Sequence, residues 1–136
     1  MGKLVFTNGL VLLNSVDYSN HCEQVQLKSI YDEVETTCFG DNAHAYLTGL
    51  TNNEITFGFL SDYAGASSLN QAIFALLNTT TTFKLAPVNA TISTTNPSYS
   101  GTVLISQWMP LDGTVATALK SAVTWKVVSA ITQATT

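Results

Sequence analysis

The residue types that most often bind metals occur together in the first third of the chain, at His21, Cys22, Cys38 and His44. Two cysteines and two histidines can complete a tetrahedral zinc site. His21 and Cys22 are adjacent, however, and adjacent side chains of a strand point to opposite faces of the sheet. The spacing therefore favours a small buried thiol and a surface histidine, and the sequence predicts no metal and no other cofactor.

The two cysteines have a second possible chemistry, which is a disulfide bond. If the alternating segment 22–30 pairs with segment 31–38 around a turn near Ile30, then Cys22 and Cys38 lie opposite each other, about 4.5–5.5 Å apart. The amino end of the sequence shows no secretion signal, so a reducing compartment with free thiols is the expectation. Segment 31–38 can also continue the preceding strand instead of pairing with it.

Three neighbouring carboxylates, Asp32, Glu33 and Glu35, are the candidates for acid–base catalysis. Strand alternation places Glu33 and Glu35 on one face and Asp32 on the other, and no pocket is implied. The chain also contains no G-x-S-x-G motif and no glycine-rich phosphate loop. The sequence therefore predicts a solvated acidic strand edge and a protein that is not an enzyme.

Composition indicates either that Thr, Ser and Asn cover much of the surface in place of charged residues or that part of the surface is covered by other copies of the chain, and it favours assembly. Charged residues make up 10% of the 136 residues while hydrophobic residues make up 46%, whereas about 25% charged is usual. The net charge is −4 and the sequence contains no arginine, so a firm grip on nucleic acid is not expected. No apolar run approaches the roughly 18 residues of a membrane span.

The elements that must position these side chains are mostly strands, and the expected fold class is mainly β. Turn residues and apolar alternation predict a two-sheet sandwich or open barrel with one flanking α-helix, in a single domain over residues 1–136. An Asn8-Gly9 turn predicts an amino-terminal hairpin. The helix is expected at 67–77, ending at Asn78, and the strands at 3–6, 10–13, 22–30, 54–60, 79–86, 101–109 and 122–128.

Residues 39–50 contain two glycines, Asp41 and Asn42, and are predicted to form a long loop. Loops of this length in a compact domain are usually functional. The alternative is an ordinary surface connection.

Several segments in combination resemble one family along nearly the whole chain. They are GLVLLNSVDYS at 9–19, EVETTCFGDNAHAYLTGLTNNEITFGFLSDY at 33–63, the helix around 72–77, TNPSYSGTVLIS at 95–106 and the closing ITQATT. In this order they resemble the major tail (tail tube) proteins of long-tailed, siphovirus-type bacteriophages. The departures are Cys38, where a threonine or similar residue is expected, and His44 and Gln133, where members often have Arg or Lys.

The resemblance implies a structural virion protein with a β-sandwich-like fold and a flanking helix. Six copies would form a ring, and stacked rings would form the tail tube, through which DNA passes without specific binding. The implied partners are further copies and other phage tail proteins, with no membrane. Assembly would occur in the host cytoplasm and the product would reside in the virion. The alternative function is a virion adaptor or a capsid decoration protein.

An acidic or neutral bore repels the phosphate backbone of DNA, which inverts the usual counterion-release attraction. We therefore expect Asp32, Glu33 and Glu35 to lie at the lumen or its rim. The loop at 39–50 is expected to stack on the adjacent ring through Phe39, Gly40, Asp41, Tyr46, Leu47, Gly49 and Leu50.

Overall fold

Ten β-strands, one short α-helix and one turn of 3-10 helix at Ser19–His21 make up the regular structure of residues 3–136, which a computed structural model describes. Residues 1 and 2, on which part of the secretion-signal prediction rests, lie outside this range. The strands are β1 (Leu10–Leu13), β2 (Val16–Asp17), β3 (Cys22–Lys28), β4 (Tyr31–Glu35), β5 (Tyr46–Thr51), β6 (Glu54–Leu60), β7 (Thr79–Ala86), β8 (Ser98–Ile105), β9 (Lys120–Lys126) and β10 (Thr132–Ala134), and the helix is α1 (Leu69–Ala75). The chain is mainly β with one helix, as the sequence predicts.

The strands form three antiparallel sheets. A five-stranded sheet has the order β10-β8-β7-β1-β2, a three-stranded sheet has the order β3-β6-β9, and β4 pairs with β5 alone. The two larger sheets contribute side chains to one core and are joined by a bridge between Val103 and Val127. In the described residues the sheets do not close into a barrel.

Strict alternation along β6 and β9 builds the centre of this core. Ile55, Phe57 and Phe59 point inward from β6, while Val123 and Trp125 point inward from β9. The ring centroids of Phe57 and Trp125 are 5.7 Å apart, and those of Phe57 and Phe59 are 4.9 Å apart. These are distances at which aromatic pairs attract beyond simple area burial. The alternation predicted from the sequence is confirmed in both strands.

Helix α1 packs through Leu69 and Ile73, which are one turn apart and buried. Ser68 precedes the helix in an extended conformation, in the N-cap position that the sequence indicates. After the last turn Asn78 adopts a φ of 66°, and its N–H donates to the Ile105 carbonyl at 2.7 Å. The left-handed residue redirects the chain into β7.

We expect Asn78→Val to lower the free energy of unfolding by about 1–2 kcal/mol, because a β-branched residue is strained in the left-handed region. Asn78→Gly is the matched control and should unfold at nearly the wild-type urea concentration. Equal losses in both variants would contradict this assignment of the cost to backbone conformation.

The amino-terminal hairpin predicted around Asn8-Gly9 is wrong. Strand β1 instead turns back at Asn14 and Ser15, whose φ values are 51° and 63°, to pair with β2. Two consecutive positive φ values are typical of the two-residue hairpin turn. The other edge of β1 is taken by β7, with Val11 opposite Leu85, so no edge of β1 remains for residues 3–6.

Neither alternative for segment 31–38 is observed, because it neither pairs with segment 22–30 nor continues that strand. β3 pairs with β6, and Cys22 lies opposite Phe59. In this position the half-buried Val25 and Leu27 of β3 pack against the core. Pairing with β4, which is exposed along its whole length, would not bury them in this way. Both cysteines are therefore free thiols, and Cys38 lies beyond the end of β4.

Candidate functional site, an exposed hairpin arm

Residues 31–51 form a hairpin of β4 and β5 that we call the arm. The predicted loop at 39–50 is correct only in its first half, because Tyr46–Thr51 is a strand. Every residue of both arm strands is exposed. An isolated two-stranded hairpin is marginally stable in water, so an arm that is bare on both faces is suited to burial against another chain.

The root of the arm is tied to the sandwich through one buried side chain. Asn53 is 2% exposed, and its Oδ1 accepts a hydrogen bond from the Ile30 N–H at 2.9 Å. Its carbonyl accepts from the Val127 N–H at 3.0 Å, and the Asn52 N–H donates to the Ile30 carbonyl at 2.6 Å. The arm therefore leaves the body from a defined position.

Replacing Asn53 with alanine should lower the free energy of unfolding by about 1–3 kcal/mol, because the Ile30 N–H loses its buried acceptor. We also expect faster amide exchange at Ile30 and through the arm, measured by hydrogen–deuterium exchange. Asn52→Ala is the control, since the Asn52 contact with Ile30 is made by the main chain. Unchanged exchange in Asn53→Ala would contradict the anchoring role.

The arm has two chemically different faces. Val34 lies opposite Leu47 on one face, whereas Glu33 and Glu35 lie opposite Thr48 and Tyr46 on the other. The side chains of Asp32 and Val34 share the first face with position 49, because a Cβ at Gly49 would lie 3.4 Å from Val34 Cγ2 and 3.5 Å from Asp32 Cβ. The structure thus places Glu33 and Glu35 together and Asp32 on the opposite face, as alternation predicts.

The tip of the arm is held by its own polar groups. The Cys38 N–H donates to Asp41 Oδ2 at 2.7 Å, and His44 Nδ1 lies 2.6 Å from Glu35 Oε2. Gly40 adopts a φ of 90°, where L side chains are strained. Phe39 projects from this ordered turn and is fully exposed. Of the predicted inter-ring residues, Phe39, Gly40 and Asp41 lie at the tip, and Tyr46, Leu47, Gly49 and Leu50 lie on β5.

The arm carries the entire net charge of the chain. It contains four carboxylates (Asp32, Glu33, Glu35 and Asp41) and no lysine, whereas the rest of the chain has five carboxylates and five lysines. Alternation and composition did not indicate that Tyr31 and Val34 are both exposed on the arm. The sequence signal for the arm was the run of β-prone residues at 46–51, because a strand there can pair with segment 31–35 in a hairpin.

The candidate metal ligands are not brought together. His21 pairs with Asp62, with Nε2 and Oδ2 3.5 Å apart, while Cys38 and His44 lie on the arm. Within residues 3–136 no group of three or more His, Cys, Asp or Glu side chains is placed to hold a metal ion. Burial raises the pKa of the Cys22 thiol, which makes it less reactive at neutral pH.

No helix among the described residues has both the length and the apolar character needed to cross a membrane.

A row of three alternating charges lies on the outer face of the three-stranded sheet, next to the root of the arm. Glu54 lies between two lysines, with Oε2 3.1 Å from Lys126 Nζ and Oε1 3.5 Å from Lys28 Nζ. The hydrogen bond from Lys126, followed by the charge of that lysine, lowers the pKa of Glu54.

Because the folded-state pKa of Glu54 is below the unfolded value of about 4.5, its contribution to stability is present above that pH and is lost as the pH falls through the lowered pKa. We expect Glu54→Gln to show a smaller loss of stability than wild type between about pH 5 and pH 3. Urea unfolding at several pH values measures the difference. Parallel pH profiles for the two proteins would contradict it.

No protein-family model and no curated protein sequence matches the chain. The fold, in contrast, is similar to those of chains in solved structures. A chain from the virion of a native gene transfer agent particle has a TM-score of 0.70 at 11% identity, covering 93% of this chain and 95% of that one. A chain from an extracellular contractile injection system, the PVC sheath/tube terminator in its extended state, has a TM-score of 0.70 at 12% identity.

The coverage in the second comparison is 98% of this chain and 97% of that chain. A third similar chain comes from the 6-fold symmetrised baseplate of the anti-feeding prophage, with a TM-score of 0.61 at 10% identity and coverage of 98% and 97%. At these identities the similarity establishes the fold, and it extends over nearly the whole length of each chain.

Proposed function

We propose that the chain is a structural tail protein of a phage-type virion, whose copies form hexameric rings that stack into a tube through which DNA passes. The observation that carries this proposal is the arm, because its two exposed faces can be buried only by another chain. The shared fold adds support, since the similar chains come from a virion, a sheath/tube terminator and a 6-fold symmetrised baseplate. The chain acts by assembly and not as an enzyme.

The arm is the proposed contact between adjacent rings. Its apolar face offers Val34 and Leu47, which are 50% and 64% exposed, and its tip offers Phe39. A contact from the arm of one copy to a different surface of the next is heterologous, and such contacts generate rings or extended assemblies. The root at Asn53 gives the arm the fixed direction that a repeated contact needs. The residues proposed for this contact are Phe39, Gly40, Asp41, Tyr46, Leu47, Gly49 and Leu50.

Asp32, Glu33 and Glu35 are the proposed lumen or rim residues. They belong to the arm, in which carboxylates outnumber lysines by four. Six such arms around a bore would present a ring of negative charge, which repels the DNA backbone and prevents retention.

Electron microscopy of the concentrated, purified chain tests the function, with light scattering to measure mass. Tubes of uniform width, or rings of six copies, are the expected result. Discrete monomers or trimers at every concentration would contradict the tube role and favour the adaptor or decoration protein. One of the similar chains comes from a sheath/tube terminator. A single closed ring that does not stack is therefore also an expected result.

The lumen assignment predicts a change in DNA retention when the charge is reversed. We expect Glu33→Lys assemblies to retain duplex DNA at about 50 mM salt and to release it near 200 mM, because each added lysine contact is salt-dependent. Asp112→Lys is the matched control, since it makes the same charge change at an exposed site outside the arm. Filter binding measures retention. Equal retention by both variants would contradict the lumen position of Glu33.

A further inference from the structure

A groove of about 710 Å³ lies between residues 6–9 and strand β3. Four consecutive residues of β3 line it, from Cys22 to Val25. Among the described residues β3 pairs only with β6 and is the edge strand of its sheet. A β-bulge lies between Cys22 and Gln24, so that Glu23 and Gln24 are both exposed while Cys22 and Val25 are half-buried. A groove lined by all four of these residues therefore borders the unpaired edge of the strand. This edge presents main-chain donors and acceptors that another strand can pair with.

The segment leading into this groove is apolar and has no partner within the described chain. Leu4, Val5 and Phe6 are 58%, 79% and 54% exposed, and residues 3–6 make no backbone hydrogen bond to other described residues. Aliphatic β-branched and aromatic residues favour strands. Residues 3–6, which we call the amino-terminal segment, therefore have the composition of a strand without its pairing.

Within its own copy, Phe6 is the part of this segment that lines the groove, whereas Lys3, Leu4 and Val5 do not line it. The Phe6 ring lies directly over Gly9, so that a Cβ at Gly9 would overlap it. Gly9 therefore permits the close approach of Phe6, and residues 6–9 form one wall of the groove. Leu4 and Val5 are exposed and do not line the groove of their own copy.

Charge on the segment and charge in the groove are complementary. The segment contains Lys3 and no carboxylate, while Asp17 and Glu23 line the groove. Glu23 also pairs with Lys120 in its own copy, with Oε1 3.4 Å from Nζ, so Asp17 is the main charge available to Lys3. Hydrogen bonds from the Ser19 hydroxyl and main chain lower the pKa of Asp17, which keeps this group charged at neutral pH. Val11 and Val25 add apolar lining for the aliphatic side chains.

We propose that residues 3–5 of one copy lie as an extended strand in this groove of a second copy, paired with the free edge of β3. The contact is heterologous, because the segment and the groove are different surfaces. Repeated around a rotation axis, such a contact closes a ring. This lateral contact is separate from the arm and rests on the proposed function only in requiring self-assembly.

The native thiol of Cys22 in the groove makes the proposal testable by cross-linking. In a Cys38→Ser background, Val5→Cys is expected to form a disulfide with Cys22 of the neighbouring copy when copper–phenanthroline oxidises the assembled protein at about pH 9, where the exposed thiol at position 5 ionises. Non-reducing gels should show a ladder of dimers and higher multimers. Adding Cys22→Ser should abolish the ladder.

The matched control is Val115→Cys in the same background, because Val115 is 97% exposed and does not line the groove. It should give no ladder that depends on Cys22. Assembly of the Val5→Cys variant without a cross-link between position 5 and Cys22 would overturn this inference alone. A bond formed only within one copy, seen by mass spectrometry of monomers, would also overturn it. A wild-type chain that stays monomeric at every concentration would overturn the proposed function and this inference together.

A second measurement does not depend on disulfide formation. Leu4→Asp combined with Val5→Asp should raise the concentration needed for assembly at least about 10-fold, because carboxylates would face Asp17 and Glu23. The thermal midpoint of the monomer should not change, since both side chains are exposed in one copy. Unchanged assembly in this variant would contradict the inference.

Discussion

Replacing Trp125 with alanine is expected to lower the free energy of unfolding by about 3–5 kcal/mol. Trp125 is fully buried, and its ring centroid lies 5.7 Å from that of Phe57 and 6.4 Å from that of Trp108. Its Nε1–H donates to the Gln107 carbonyl at 2.8 Å. The substitution therefore removes a large apolar volume, opens a cavity between the two main sheets and leaves a carbonyl unpaired.

Urea unfolding followed by circular dichroism measures this loss. Trp125→Phe is the control, because it retains an aromatic ring in the core and removes mainly the hydrogen bond and part of the volume. It should cost about 1–2 kcal/mol. A loss below about 1.5 kcal/mol in Trp125→Ala would mean that the surrounding sheets collapse around the site, contrary to close packing of this core.

Assembly should be lost when the apolar face of the arm is made charged, while the monomer keeps its fold. The variant combines Val34→Lys with Leu47→Glu. These positions lie directly opposite each other, so the new ion pair maintains the cross-strand attraction that supports the hairpin. The variant therefore removes the apolar contact surface without opening the arm. Burying two charges in a contact between copies costs several kcal/mol unless new partners are present.

Sedimentation and electron microscopy measure assembly, and urea unfolding measures the monomer, whose stability should change by no more than about 0.5 kcal/mol. Val128→Lys is the control, because Val128 is 53% exposed and lies outside the arm. It should assemble as wild type does. Tubes of normal length and yield in the double variant would contradict the role of the arm.

The elements that sequence reasoning predicted best are those with one buried face. β6 and β7 begin and end at the predicted residues, 54–60 and 79–86. Their inward residues alternate with polar ones, and burial of the inward set fixes both the conformation and the face. β8 was displaced from the predicted 101–109 to Ser98–Ile105, because it pairs with β7 and β10 over these residues.

The arm shows why part of the candidate site could not be predicted. Its strands bury nothing within one copy, so apolar alternation carries no information about which face is inside. Glycines at 40 and 49 indicated a loop, but only Gly40 takes a positive φ, whereas Gly49 fits in a strand beside Val34 and Asp32. Asn53 gave no signal as an anchor, because its role depends on Ile30 and Val127, which are distant in sequence.

The amino-acid sequence by itself determined the local features of this protein. It determined the β-rich character, the buried faces of β6 and β9, the position of the helix and the concentration of carboxylates at 32–41. Only the tertiary structure decided which strands pair, that β1 turns at Asn14 and Ser15, and that an acidic hairpin stands free of the body. Local patterns arise from the burial and conformational preference of neighbouring residues. Pairing is a competition among strands far apart in the chain, and it is decided by which edges the common core leaves unoccupied.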